Sequence, residues 1–176
     1  MPFPEVDGAF PRDAFADVLE GNSAFAQTFA AQGLTGRAAK HLAVITCMDS
    51  RINPLALLGM QAGDVKILRN AGARVTSDVM RTLVMACYLL DVKRILVMPH
   101  TGCTMASATE AELHERISDE FGIDTRSMEF RVVKDQRESL TTDLTRIRTF
   151  PLLPADLIVA GAIYDVKSGR LHPVDA

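Results

Sequence analysis

Two short segments of this chain carry residue types able to do metal chemistry: Cys47-Met48-Asp49-Ser50-Arg51 and His100-Thr101-Gly102-Cys103. Two thiolates and one imidazole make a soft sulfur-and-nitrogen set that suits zinc. Three protein ligands leave the fourth tetrahedral position open, which is the arrangement of a catalytic rather than a structural zinc. The expected ligands are therefore Cys47, His100 and Cys103, holding one Zn2+ per chain. Asp49 and Arg51 stand two residues apart and can fold into a bidentate pair on a tight loop. Beside a metal, an ionised Asp49 would accept a hydrogen bond from a zinc-bound hydroxide, and Arg51 would keep that carboxylate charged and turned away from the ion. Taken singly, each feature has a plainer reading. A lone cysteine after a strand is usually a small buried hydrophobe, and Asp49 with Arg51 could be an ordinary surface pair. The combination favours the metal.

Both segments follow runs that read as buried strands. Leu42-Ala43-Val44-Ile45-Thr46 is apolar and β-branched without polar alternation, as a strand covered on both faces requires. Val65 to Leu68, Ile95 to Met98 and Leu157 to Ala162 repeat the pattern. Helices are expected over Pro54 to Leu58, Ser77 to Leu90, Ser107 to Phe121 and Gln136 to Arg148, with Ser77 or Asp78 capping the second. Strands alternating with helices imply α/β architecture: a central, mainly parallel sheet of about four strands, flanked by helices. Lys167-Ser168-Gly169-Arg170 reads as a hairpin turn into a final edge strand, Leu171 to Val174. In open parallel sheets ligands sit in the crevice at the carboxyl ends of the strands, so both segments would open into it if their strands are neighbours. Before His41 the chain is less regular. Pro2, Pro4 and Pro11 bracket a loose start, and a helix is expected from about Asp13 to Ala31. The reading is thus a single domain over 1–176, with an N-terminal arm and helix at 1–40 and a catalytic core at 41–176.

The 176 residues suffice for a substantial core, and 48% hydrophobic with 23% charged residues is ordinary for a globular protein. The formal charge of −3 and scattered Lys and Arg, contiguous only at Lys93-Arg94, give no nucleic-acid surface. No apolar run approaches the roughly 20 residues that span a bilayer, and the first residues lack the form of a secretory signal. A cytoplasmic location is expected. The three cysteines fit it, being a poor disulfide framework. Cys87 lies within an apolar helix and reads as core. Residues 79–90 are apolar almost all round the helix, so that helix is either central or faces another subunit. Met48 and Met60 read as packing or as the wall of an apolar pocket.

The set Cys47-Met48-Asp49-Ser50-Arg51, then Arg69-Asn70-Ala71-Gly72, then His100-Thr101-Gly102-Cys103 resembles the beta-class carbonic anhydrases, most of all the small members that are little more than the core domain. The resemblance runs from about residue 12 to 175. It implies an alpha/beta fold, a zinc on Cys47, His100 and Cys103, an Asp49–Arg51 dyad, and a homodimer or larger homo-oligomer. The activity it implies is that of a lyase, the reversible hydration of carbon dioxide to bicarbonate and a proton. Gly102 and Thr104 depart from the residues usual on either side of the second cysteine. In some relatives the aspartate enters the fourth zinc position, so Asp49 is expected to switch between Arg51 and the metal. A proton must also reach solvent, and His41, His114 and His172 are alternatives that the sequence does not separate. Three other functions compete: hydrolysis of carbon disulfide or carbonyl sulfide on the same zinc, a nucleophilic Cys47 thiolate, and a non-catalytic zinc-binding regulator.

Overall fold

The computed structural model describes residues 10–176. Pro2, Pro4 and the rest of the proposed loose start up to residue 9 lie outside the described residues. The chain divides into two compact units, one ending at Leu34 and one spanning Thr35–Ala176. In the first, a 3₁₀ turn at Arg12–Phe15 leads into helix α1, Ala16–Gln27. The expected helix from Asp13 to Ala31 is thus shorter at both ends. Its last turn closes where Thr28 donates from its N–H and its hydroxyl to the Phe25 carbonyl, a local bond that competes with further helix. No residue of α1 is buried; Phe15, Val18, Leu19 and Phe25 are all exposed.

The second unit is built on one sheet. Its elements in chain order are β1 (Leu42–Cys47), α2 (Pro54–Leu57), β2 (Val65–Asn70), α3 (Ser77–Leu89), β3 (Arg94–Met98), α4 (Glu110–Phe121), α5 (Gln136–Arg148), β4 (Ile158–Tyr164) and β5 (Leu171–Val174). The strand order is β2-β1-β3-β4-β5. The first four strands are parallel and β5 runs antiparallel at the edge. β1 is an interior strand paired on both sides, and every one of its six residues is buried, which is why its sequence shows no polar alternation. From β1 the chain moves to β2 on one side, then returns to β3 on the other. The topological switch point therefore falls between β1 and β3, where Thr46 pairs with Met98.

Alternating side chains feed two cores. Ala43, Ile45, Ile95 and Val97 pack with Val79, Met80 and Leu83 of α3 and Leu140, Leu144 and Ile147 of α5. Leu42, Val44, Ile52 and Met98 pack on the opposite face with Leu57, Leu58 and Ile67. Helix α3 buries Val79, Met80, Leu83 and Ala86 but leaves Met85, Tyr88 and Leu89 exposed, so within one chain it is covered on one side only. Cys87 is half-buried beside this core rather than within it, and burial pushes its thiol pKa up. The cap of α3 is Thr76, whose hydroxyl accepts from Val79 N–H, not Ser77 or Asp78. Helix α4 starts at Glu110, later than expected, because Thr104–Ala106 forms a separate 3₁₀ turn and Thr109 makes a capping box with Glu112.

A largely buried ion pair ties α5 to the loop after β2. Arg74 Nε donates to Asp143 Oδ2 at 2.8 Å, and Val75 N–H donates to the same oxygen at 3.2 Å. Removing one partner of such a pair strands the other charge out of water. Asp143→Ala should lower unfolding stability by about 3–5 kcal/mol, read by urea denaturation. A loss under about 1 kcal/mol would mean that Arg74 finds water or another acceptor without difficulty.

Candidate active site

The two chemically equipped loops meet because β1 and β3 are hydrogen-bonded neighbours. Cys47 is the last residue of β1, and His100 lies two residues past β3, bridged to Tyr164 of β4. Cys103 ends the same short loop, which turns at Gly102 with a left-handed φ of 64°. The Sγ atoms of Cys47 and Cys103 stand 3.9 Å apart. The ligand atoms of Cys47, His100 and Cys103 all lie within 4.8 Å of one another, and all three residues are buried. Two sulfurs on a tetrahedral zinc at about 2.3 Å each would be about 3.8 Å apart, so the spacing fits that ion.

The imidazole is the most telling part. Its Nδ1 lies 2.9 Å from the Thr101 carbonyl, which can only accept, so Nδ1 carries the proton and Nε2 presents its lone pair. His100 is 1% exposed, and Nε2 is buried without a hydrogen-bond partner among the described residues. Burying a polar atom unpaired is costly. An electrophile between this nitrogen and the two sulfurs removes the cost. Burial also pushes the Cys103 thiol pKa up, and the neighbouring Cys47 adds to that.

Asp49 and Arg51 form the anticipated bidentate pair. Arg51 Nε donates to Oδ1 at 2.9 Å and Nη2 to Oδ2 at 2.7 Å, while the Arg51 backbone N–H adds a third bond to Oδ1 at 2.9 Å. These bonds, the guanidinium first, hold the Asp49 carboxyl far below the usual carboxylate range and raise the pKa of Arg51. Asp49 Oδ2 stands 3.7 Å from His100 Nε2, beside the ligand set and turned toward Arg51. Arg51 Nη2 also donates to the Gly102 carbonyl at 3.0 Å, linking the two loops.

Several residues that frame the site were given no role by the sequence. Arg69, on β2, donates to the carbonyls of Cys47 at 2.9 Å and Asp49 at 2.7 Å, fastening the first loop. Asn70 accepts from Arg74 N–H and donates to the Arg74 carbonyl. Gln136, at the start of α5, donates to the His100 carbonyl, and Asp165 accepts from the Thr101 hydroxyl at 3.0 Å. The Arg69-Asn70-Ala71-Gly72 string was a usable signal for the first two. Gln136 and Asp165 had none. Thr104 heads a 3₁₀ turn directly after Cys103, and Met105 packs against Gly72. Met60 packs in the second core, whereas Met48 is 68% exposed and lines no core. A basin of about 580 Å³ beside the dyad is lined by Arg51, Thr101, Gly102, Asp165, Lys167 and His172 among others. Of the three unassigned histidines, His172 lies here. His41 bonds the Asp91 carbonyl at the opposite end of β1, and His114, on α4, bonds Thr125 beyond that helix.

Known proteins agree with this architecture. Residues 42–138 match the sequence profile of carbonic anhydrase. The chain is 35% identical over 136 residues to beta-carbonic anhydrase 1 of Mycobacterium bovis, covering 77% of this chain and 82% of that one. It is 29% identical over 164 residues to a carbon disulfide hydrolase of Acidithiobacillus thiooxidans, covering 80% and 75% respectively. The crystal structure of a carbonic anhydrase from Streptococcus mutans superposes with a TM-score of 0.87 at 35% identity, over 96% of this chain and 100% of that one. With its mostly parallel five-stranded sheet and its paired loops at the switch point, the chain belongs to the beta-carbonic anhydrase family.

Proposed function

We propose that this chain catalyses the reversible hydration of carbon dioxide to bicarbonate and a proton, with one zinc ion held by Cys47, His100 and Cys103. The observation that carries this reading is the buried His100 Nε2, unpartnered among the described residues, close to two thiols 3.9 Å apart. Zinc, when bound, would supply an acidified water: in carbonic anhydrases that hold the ion on three histidines its pKa falls to about 7, a value that belongs to those enzymes. The residues of this chain supply the rest. Asp49, kept ionised and aimed by three bonds from Arg51, accepts a hydrogen bond from the attacking oxygen and fixes which lone pair meets the carbon. Arg51, by holding both carboxylate oxygens, would keep Asp49 out of the ligand set and available to the reacting oxygen. Arg69 holds the backbone of the first loop so that Cys47 and Asp49 keep their separation.

Carbon disulfide hydrolysis is the second reading, because curated relatives of that name match most of the chain. Both substrates are linear, neutral and attacked at carbon. Stopped-flow hydration beside sulfide release separates them: rapid proton production from carbon dioxide, with sulfide release from carbon disulfide at background, supports the first reading, and the reverse overturns it. A homodimer or larger homo-oligomer completes the proposal. It is supported by exposed Met85, Tyr88 and Leu89 on α3 and by an α1 with no buried residue. No helix among the described residues is long and apolar enough to cross a membrane.

Metal binding should depend steeply on pH. The metal takes thiolates, so each zinc displaces protons from Cys47 and Cys103, and the raised thiol of Cys103 makes this costlier as pH falls. The sign is that affinity rises with pH. With two protons displaced, the apparent Kd should drop about 100-fold per pH unit below the thiol pKa values. Competition with a chelator between pH 6 and 8 reads this slope, and a flat profile would mean that thiols do not hold the metal.

A further inference from the structure

The two ligand loops are held in different ways. Cys47 belongs to a central strand, and its carbonyl is held by Arg69. His100 and Cys103 lie beyond the end of β3, and their loop is held from the hairpin between β4 and β5. Thr101 N–H donates to the Tyr164 carbonyl at 2.9 Å. The Thr101 hydroxyl donates to Asp165 Oδ1 at 3.0 Å and accepts from Val166 N–H at 3.2 Å. This is the residue whose carbonyl receives His100 Nδ1.

Asp165 is itself immobilised. Lys167 N–H donates to Oδ1 at 3.0 Å and the Ser168 hydroxyl to Oδ2 at 2.6 Å. Together with Thr101 they keep the carboxyl at about 2, so it stays an acceptor at working pH; Ser168 contributes most. The hairpin closes through backbone bonds in any case, from Asp165 N–H to the Arg170 carbonyl and from Gly169 N–H to the Asp165 carbonyl, each 2.8 Å. The bond to Thr101 is therefore not needed to make the turn. Its one evident effect is on the loop carrying His100.

We infer that Asp165 is a positioning residue for the metal centre: through the Thr101 hydroxyl it fixes the carbonyl that selects the Nδ1–H tautomer of His100 and aims Nε2 at Cys47 and Cys103. The inference rests on the zinc reading above. Outer partners that orient a ligating histidine commonly contribute about 10–100-fold to metal affinity. The contact comes from a residue 64 positions downstream of Thr101, so the last hairpin of the fold is joined to the metal centre.

The test uses the full chain with Thr101→Val, Thr101→Ser, Asp165→Ala and the Thr101→Val/Asp165→Ala double variant. Zinc affinity is measured by chelator competition, and the His100 ring nitrogens of the zinc-free protein are followed by 15N NMR. Thr101→Val and Asp165→Ala should each weaken zinc binding about 10–100-fold, the double variant should be no worse than either single one, and Thr101→Ser should restore affinity. The His100 15N shifts should move from the Nδ1–H form toward a tautomer mixture in Thr101→Val, which a loss of general stability would not produce. Unchanged affinity and tautomer in both single variants, or multiplicative losses in the double one, would overturn the positioning role while leaving the zinc reading intact. A parent chain that binds no zinc would overturn both.

Discussion

His100→Ala should give a folded protein that no longer retains zinc. The imidazole supplies the nitrogen of the proposed ligand set, and its buried Nε2 has no hydrogen-bond partner among the described residues. Without it, two thiols 3.9 Å apart remain, and neither Asp49 nor any other acid completes the cluster among the described residues. The loss of affinity should exceed about 100-fold, the upper end of what an outer-shell partner contributes, and activity should disappear with the metal. Folding should survive, because the sheet and both cores are built from other residues. Metal analysis after dialysis, with circular dichroism as the control for folding, checks the result. Zinc retained at one per chain would remove His100 from the site.

Asp49→Asn separates metal binding from catalysis. The amide keeps the shape of the side chain but loses the charge that Arg51 holds in place through three bonds. It also presents a donor where the carboxylate accepts. Zinc content should stay near one per chain, while the hydration rate should fall about 10²–10³-fold, the usual cost of losing one preorganised polar group aimed at the reacting centre. A parallel loss of zinc would make Asp49 a required ligand and contradict the three-residue set. An unchanged rate would remove the dyad from catalysis and leave Asp49 and Arg51 as a surface pair.

Which parts of this site were legible in sequence follows from how local each interaction is. Cys47, Asp49 and Arg51 lie within five residues, and His100 and Cys103 within four, so type and spacing sufficed to bring them into one hypothesis. That the two loops meet required β1 and β3 to be neighbours. Their apolar runs made both strands visible but said nothing of order, and the pairing of Thr46 with Met98 supplies it. Asp165 and Gln136 left no trace because they reach the His100 loop across 64 and 36 positions, and an Asp in a turn or a Gln opening a helix has ordinary local reasons to be there. Helix caps failed for the opposite reason. Thr76-Ser77-Asp78 offers three capping side chains in a row, and tertiary packing decides among them. The start of α4 was readable, since Thr109-x-x-Glu112 is a capping box, but the polar run from Ser107 masked it. Helix α3 was read as apolar on all sides, and the chain alone buries one side of it.

Gly102, expected from the resemblance to be a departure, fits the frame that the two loops share. Its φ of 64° suits glycine, and its carbonyl is the acceptor through which Arg51 joins the two loops. The departure therefore leaves the dyad in place.

X-ray absorption at the zinc edge of the purified protein tests the central claim most directly. The account predicts one zinc per chain, with about two sulfur neighbours near 2.3 Å, one imidazole nitrogen near 2.0–2.1 Å and one further light atom completing the tetrahedron. A zinc shell without sulfur, or a protein that carries no zinc after growth and purification in zinc-containing medium, would contradict it.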